Sequence, residues 1–224
     1  MTFASIASGL GRLNLDGTNA LIECEVEPGV WRRHPTLEPQ DSRSDISRDG
    51  YMGVIFNAIA DGNVRMIKRI IKAGWKRRWT MGDRGNFDYI NIWPLIPTLY
   101  MARYGSWVPT LPTLILDKPK YTKGYRAHLT ALHIMTEMMV GKRRWSHRKT
   151  LDLLTDRNSH NPWFHALWLV AMGSDPGEDL NLQLDIDSFD MDTAAYGWGS
   201  CPGEVMYALT LQAARLYDAN TTGT

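Results

Sequence analysis

One polar stretch of the sequence, PQDSRSDISRDGYMG at residues 39–53, holds closely spaced acids and bases. In a cleft, Asp45 or Asp49 could act as a general acid or base, while Arg48 keeps a neighbouring carboxylate ionised. The alternative is structural: Ser47 caps a helix, and Asp49 lies favourably in the first turn. The residues alone leave both interpretations open.

A second polar stretch, DRNSHNPWFHALW, covers residues 156–168. His160 precedes a helix predicted to begin near Pro162, where it could accept a proton, and Asn158 could stabilise a developing anion. Trp163 lies in the first turn of that helix. The alternative is that Trp163 belongs to the core and that His160 is an exposed loop residue.

A third stretch, GWKRRWTMGDRGNFDYINIWP at residues 74–94, predicts a glycine-containing loop between tryptophans. Aromatic faces beside hydrogen-bonding side chains suit a sugar ring, because its C–H face packs on indole while its hydroxyls need directional partners. Core packing explains other tryptophans, with Trp75 and Trp168 expected among them. The candidate binding residues of the whole chain are Trp31, Arg48, Trp79, Arg84, Asn86, Tyr89, Trp93, Asn158 and Trp163, with Asp83 as a further carboxylate.

Metal and cofactor motifs are absent from the sequence. His128 and His133 are five residues apart on one predicted helix and therefore face different sides. The acidic tract at residues 175–192 lacks the glycine and closing glutamate of a calcium-binding EF-hand loop. Phosphate loops, dinucleotide fingerprints and zinc-protease motifs do not occur. We therefore expect neither a metal nor a cofactor.

The overall charge is nearly balanced, with 25 basic and 24 acidic side chains and a net charge of +1. This balance argues against a nucleic-acid partner. Basic clusters next to tryptophans, at residues 75–79 and 142–145, would suit single strands, but predicted helix ends explain them as well. No apolar run reaches membrane-spanning length and no signal peptide is evident, so we expect a soluble protein, cytoplasmic or released. Two cysteines, Cys24 and Cys201, favour a reducing compartment and leave one long-range bridge open.

Apolar residues recur at helical spacing along most of the chain. A DGN turn separates the first two helices and predicts a helical hairpin, and Gly105, Gly141 and Gly173 stand where helices should end. Residues 20–31 and 180–186 instead resemble short strands. We expect one domain over residues 1–224, with residues 1–40 as an extended arm. Helices are predicted at residues 51–60, 64–75, 90–105, 125–142, 147–157, 161–173 and 202–218.

Three segments, SRDGYMGVIFNAIADGN, IIKAGWKRRWTMGDRG and SHNPWFHALWLVAMG, carry a resemblance across residues 30–215. They resemble the (α/α) toroid enzymes that act on polysaccharides, namely six-hairpin glycosidases and toroid polysaccharide lyases. The resemblance implies a mainly α fold, an incomplete toroid of helical hairpins with minor β segments. It also implies carboxylates, aromatics and arginines gathered around a central cleft.

The implied function is cleavage of glycosidic bonds in a polysaccharide or oligosaccharide. Hydrolysis needs two carboxylates flanking the bond, and Asp45 or Asp49, with Asp83 or Asp88 as partner, would supply them. The dense acidic stretch favours this reaction. The alternatives are β-elimination on a uronate, with His160 or Tyr89 as base, and a non-catalytic protein that binds glycans.

Overall fold

A computed structural model describes residues 17–32, 46–81, 90–92, 95–105, 124–140, 145–159 and 161–188. Two compact units are present, one within residues 1–118 and one within residues 119–224, and each is described by itself. The described residues form eight α-helices and two pairs of short strands, which confirms the mainly α prediction. No helix among them is both long and apolar enough to span a bilayer.

The first unit combines four helices with both strand pairs. β1 and β2 form one antiparallel pair, β3 and β4 form the other, and α2, α3 and α4 pack on one another. In chain order the elements are α1 (Gly17–Cys24), β1 (Glu25–Glu27), β2 (Val30–Trp31), α2 (Arg48–Ala60), α3 (Val64–Lys76), β3 (Thr80–Met81), β4 (Ile90–Asn91) and α4 (Ile96–Tyr104).

The predicted helical hairpin is formed by α2 and α3. Helix α2 ends at the turn of residues 61–63, where Gly62 has a φ of +58°. Asn63 then caps α3, because its Oδ1 accepts the Met66 N–H at 3.1 Å. The apolar residues that repeat at helical spacing in α2 are buried, namely Tyr51, Val54, Ile55, Ala58 and Ile59. In α3, the first and last residues of the same pattern, Val64 and Trp75, are exposed.

A buried aromatic pair joins the β1–β2 hairpin to α2. The Tyr51 hydroxyl donates to the carbonyl of Gly29 at 2.6 Å, and Tyr51 meets Trp31 edge to face. The Trp31 indole N–H donates to the Leu21 carbonyl at 2.9 Å. Gly29 is required here because a Cβ would lie 2.4 Å from the Arg69 carbonyl oxygen.

The second unit is helical throughout its described part. Helix α7 packs against α5, α6, the 3₁₀ turn and α8. Asn161 caps α7 by accepting two backbone N–H groups, and Gly173 ends it with a φ of +80°, as predicted. The elements are α5 (Gly124–Met138), α6 (Trp145–Arg157), α7 (Pro162–Met172), a 3₁₀ turn (Pro176–Glu178) and α8 (Leu180–Asp187).

Two strand predictions need correction. Residues 180–186 form helix α8, because Asp179 Oδ1 accepts the Leu182 N–H and Gln183 bonds Asp187 one turn later. Only Leu182 of its alternating apolar residues is buried. Residues 20–31 contain two short strands, but the first five residues of this segment, 20–24, belong to helix α1. The helix predicted at residues 202–218 lies outside the described residues.

Candidate functional site

The N-terminus of α2 shows the capping role considered for the first polar stretch. The Ser47 hydroxyl oxygen accepts the Gly50 N–H at 3.3 Å, and Asp49 lies half-buried in the first helical turn. Arg48, the first helical residue, is also half-buried. The capping interpretation is therefore confirmed, and it accounts for Ser47 and Asp49 without catalysis.

Three tryptophans predicted to bind sugar are instead part of the core. Trp31, Trp79 and Trp163 are 2%, 1% and 0% exposed. Trp79 meets Trp75 edge to face, and Trp163 contacts His128 with ring centroids 5.1 Å apart. A ring buried in this way can stack on a sugar only by leaving the core.

The two tryptophans expected in the core are both accessible. Trp75 is 62% exposed, and its indole N–H donates to the Tyr100 hydroxyl at 2.9 Å. Trp168 is half-buried, and its indole N–H donates to Asp152 Oδ1 at 2.7 Å. Neither ring is fully buried, because helical spacing alone does not show which side of a helix its neighbours cover.

Asn158 closes helix α6 in the described part of the chain. Its side-chain amide donates to the Leu154 carbonyl at 2.8 Å, and its backbone carbonyl accepts the Asn161 N–H. These bonds account for an asparagine between two helices. The other predicted site residues, Asp45, Asp83, Arg84, Asn86, Asp88, Tyr89, Trp93 and His160, lie outside the described residues.

The described site with the clearest potential for acid–base chemistry is centred on His165 of α7. Its Nδ1 lies 2.9 Å from Asp185 Oδ2, and its Nε2 lies 3.8 Å from Asp179 Oδ1. The imidazole is only partly buried, with a side chain 21% exposed. When Asp185 is ionised, the Nδ1–H group donates a hydrogen bond to its carboxylate, and Nε2 of the neutral ring is then an acceptor.

Asp179 is held in place by the start of α8. Its Oδ1 accepts the Leu182 N–H at 2.8 Å, and a carboxylate at a helix N-terminus is stabilised by the helix dipole. The 3.8 Å between this oxygen and His165 Nε2 exceeds a direct hydrogen bond, so a water or hydroxyl placed beside the two atoms can contact both. The imidazole thus lies between two carboxylates with different roles.

An open hollow of about 550 Å³ begins at Asp179. The residues that line it are Gly173, Ser174, Asp175, Glu178 and Asp179. The half-buried indole of Trp168 lies beside His165, with ring centroids 6.5 Å apart. A proton acceptor, an accessible hollow and an aromatic ring therefore occur together in this unit.

A second histidine–carboxylate cluster lies inside the same unit. His147 Nε2 is 2.5 Å from Glu137 Oε2, and His133 Nε2 is 3.8 Å from Glu137 Oε1. All three side chains are buried, so the cluster offers no access to a substrate. Among the residues that the structure describes, no group of three or more potential ligands is arranged to hold a metal ion.

His165 and its partners were not predicted as a site. The acidic tract containing Asp179 and Asp185 was considered only for calcium, and residues 180–186 were expected to form a strand. A helix in that position turns Asp185 back towards α7, a relationship that depends on tertiary packing. The sequence did contain one clue to a helix here, because Asp179 is a residue type that commonly caps a helix N-terminus.

Comparisons with known proteins identify no relative. No family model, no curated protein and no solved structure matches the chain.

Proposed function

We propose that this protein is a polysaccharide-cleaving enzyme that favours hydrolysis and is built as an incomplete toroid of helical hairpins. We place its acid–base centre at His165, Asp185 and Asp179. The observation that carries the proposal is the position of the imidazole between two carboxylates, 2.9 Å from one and 3.8 Å from the other. The helical hairpin of α2 and α3 and the paired helices α6 and α7 support the toroid.

Each side chain has a distinct role in this proposal. Asp185 orients the ring and stabilises its protonated form, so that Nε2 can take a proton from an attacking water. The water oxygen bonds to the anomeric carbon as the glycosidic C–O bond breaks, and the imidazolium then gives the proton to the leaving sugar oxygen. Asp179, on the rim of the hollow, stays ionised and orients the attacking water. Trp168 offers an indole face for the sugar ring, and its bond to Asp152 fixes that face.

The charge of the hollow favours hydrolysis over β-elimination. Elimination requires a uronate whose carboxylate is neutralised, whereas Asp175, Glu178 and Asp179 line this hollow with acidic groups. Like charges at short range repel, so a neutral sugar fits here better than a uronate. The lyase alternative is therefore the weaker one at this site.

The test is a screen of the purified chain against neutral, amino and acidic polysaccharides. Reducing ends and the absorbance of unsaturated products are measured in parallel. We expect reducing ends without absorbance, and His165→Asn should lower kcat by about 10²–10⁴-fold while binding is retained. Asp187→Asn is the matched control, because Asp187 is an exposed carboxylate on the same helix as Asp185.

Three outcomes would count against the proposal. Unsaturated products would favour the lyase alternative, and glycan binding without turnover would favour a non-catalytic protein. Full activity of His165→Asn would exclude this centre. Asp45→Asn, Asp83→Asn and His160→Asn belong in the same series, because they test the centre predicted from the sequence.

A further inference from the structure

Helices α3 and α4 of the first unit expose a surface of aromatic and basic side chains. Trp75 is 62% exposed and Tyr104 is 56% exposed. Tyr100 connects them, because its hydroxyl accepts the Trp75 indole N–H at 2.9 Å and its ring lies 5.5 Å from that of Tyr104. Large aromatic side chains grouped on a surface commonly mark a binding site.

The core does not require Trp75 to be aromatic. Trp79 fills the space next to α3 and is almost completely buried, whereas Trp75 meets only its edge, at a centroid distance of 5.4 Å. The hydrogen bond to Tyr100 nevertheless fixes the orientation of the exposed indole. A rigid and accessible ring of this kind loses little conformational entropy when it binds a ligand.

The charged residues of the two helices that carry these rings have one sign. Neither α3 (VRMIKRIIKAGWK) nor α4 (IPTLYMARY) contains an acidic residue. Lys72 and Lys68 are exposed and precede Trp75 by three and seven residues, which places them on the same helical face. On α4, the Arg103 guanidinium lies 4.8 Å above the ring of Tyr104. A polyanion is the complementary ligand.

We propose that this surface, formed by Lys68, Lys72, Trp75, Tyr100, Arg103 and Tyr104, binds an acidic polysaccharide. Sugar rings pack on the indole and phenol faces, while the cations pair with carboxylates or sulfates spaced along the polymer. A sparsely charged chain suits a protein of net charge +1 and pI 7.8 better than a nucleic acid does, since nucleic-acid-binding domains are strongly basic.

This inference adds a substrate class to the proposed function but does not depend on it. The hollow near His165 favours a neutral sugar, and the α3–α4 surface favours an acidic one. A heteropolysaccharide that carries acidic units at intervals has both. Binding is therefore measured in the His165→Asn background, where the polymer stays intact and a failure of catalysis does not affect the result.

The experiment measures retardation in native gels and the Kd for three probes: sparsely carboxymethylated dextran, unmodified dextran and a thymidine oligonucleotide. We expect binding to the carboxymethylated dextran that weakens with salt. Trp75→Ala should weaken this binding about 5–10-fold, and the Lys68→Gln/Lys72→Gln pair about 3–10-fold. Arg148→Gln and Leu180→Ala, an exposed cation and an exposed apolar residue of the second unit, should leave the Kd unchanged.

Circular dichroism and the thermal midpoint establish whether each variant is folded. If Trp75→Ala does not fold, the Lys68→Gln/Lys72→Gln pair still tests the surface. An unchanged Kd in both surface variants would overturn the proposal, as would equal affinity for unmodified dextran. Tighter binding of the oligonucleotide through the same residues would replace it with a single-stranded nucleic-acid site.

Discussion

His147 of α6 and Glu137 of α5 share a buried hydrogen bond, with 2.5 Å between Nε2 and Oε2. Both side chains are 3–4% exposed, and His133 approaches the other carboxylate oxygen of Glu137 at 3.8 Å. A buried carboxylate is tolerated only when polar partners replace its lost hydration. This cluster joins two helices of the second unit through a polar contact.

Removing the carboxylate should therefore destabilise the second unit strongly. Glu137→Ala leaves His147 buried without its partner, and we expect a loss of about 3–5 kcal/mol in the free energy of unfolding, measured with urea. Glu137→Gln keeps the shape and an acceptor oxygen and should cost less. Glu178→Ala, at an exposed glutamate, should stay within about 0.5 kcal/mol of the parent chain. A similarly small effect of Glu137→Ala would contradict a stabilising role.

Tyr51→Phe tests the attachment of the β1–β2 hairpin to α2. The substitution removes the 2.6 Å hydrogen bond and leaves the Gly29 carbonyl without this donor in a buried place. We expect a loss of about 1–3 kcal/mol in unfolding free energy. Tyr100→Phe, whose hydroxyl bond to Trp75 is exposed, is the matched control and should cost less.

The same tyrosine predicts a response to alkaline pH. Burial raises the pKa of Tyr51 well above its usual value, so the folded state holds the phenol proton more tightly than the unfolded chain. The stability it gives is complete below the unfolded pKa and is lost as the pH rises above it. Tyr51→Phe should accordingly reduce the alkaline loss of stability, and an unchanged pH profile would argue against this assignment.

Local chemistry explains how much of the fold could be predicted. The hairpin of α2 and α3 and the caps at Ser47 and Asn161 follow from residue spacing and from side chains that act within one turn. Helix α8 was missed because alternating apolar residues predict a strand whether or not a neighbouring strand is there to pair with it. Its helical form rests on the Asp179 cap together with packing against α7.

The candidate site was less predictable than the fold. Trp79 is buried although it was predicted to bind sugar, and Trp75 is exposed although it was predicted to lie in the core. The cause is a turn with positive φ angles at Arg78 and Trp79, which brings the Trp79 ring against Gly74. Spacing alone cannot indicate such a turn. The His165–Asp185 pair joins residues twenty positions apart in sequence, so only the packing of two helices brings them together.

Neutralising a carboxylate should have opposite effects on stability at the two ends of helix α2. Asp61 follows its C-terminus, where the dipole disfavours an anion, and desolvation by the surrounding protein raises the pKa of this carboxyl. Asp61→Asn should therefore raise the unfolding free energy by roughly 0.3–1 kcal/mol at neutral pH. Asp49→Asn, in the first turn of the same helix, should lower it by a similar amount.

The pH dependence supplies the control for Asp61. Because the folded pKa is raised, protonation favours the folded state, and stability from this group is lost as the pH rises through the folded pKa. The advantage of Asp61→Asn should thus disappear below the usual aspartate value of 3.8. Urea unfolding across this range measures the effect, and an advantage that persists at low pH would assign it to something other than charge.

Gly74→Ala should destabilise the first unit even though alanine is the better helix former. A Cβ at this position would lie 2.5 Å from Cε3 of the buried Trp79 ring, which must then shift. We expect a net loss of about 1–3 kcal/mol in unfolding free energy and a changed near-ultraviolet tryptophan signal. Gly62→Asn is the matched control, because that turn glycine has a φ of +58° and open space around it, and asparagine tolerates this conformation. If Gly74→Ala matched the parent chain in both measurements, the close packing of Trp79 beneath α3 would be wrong.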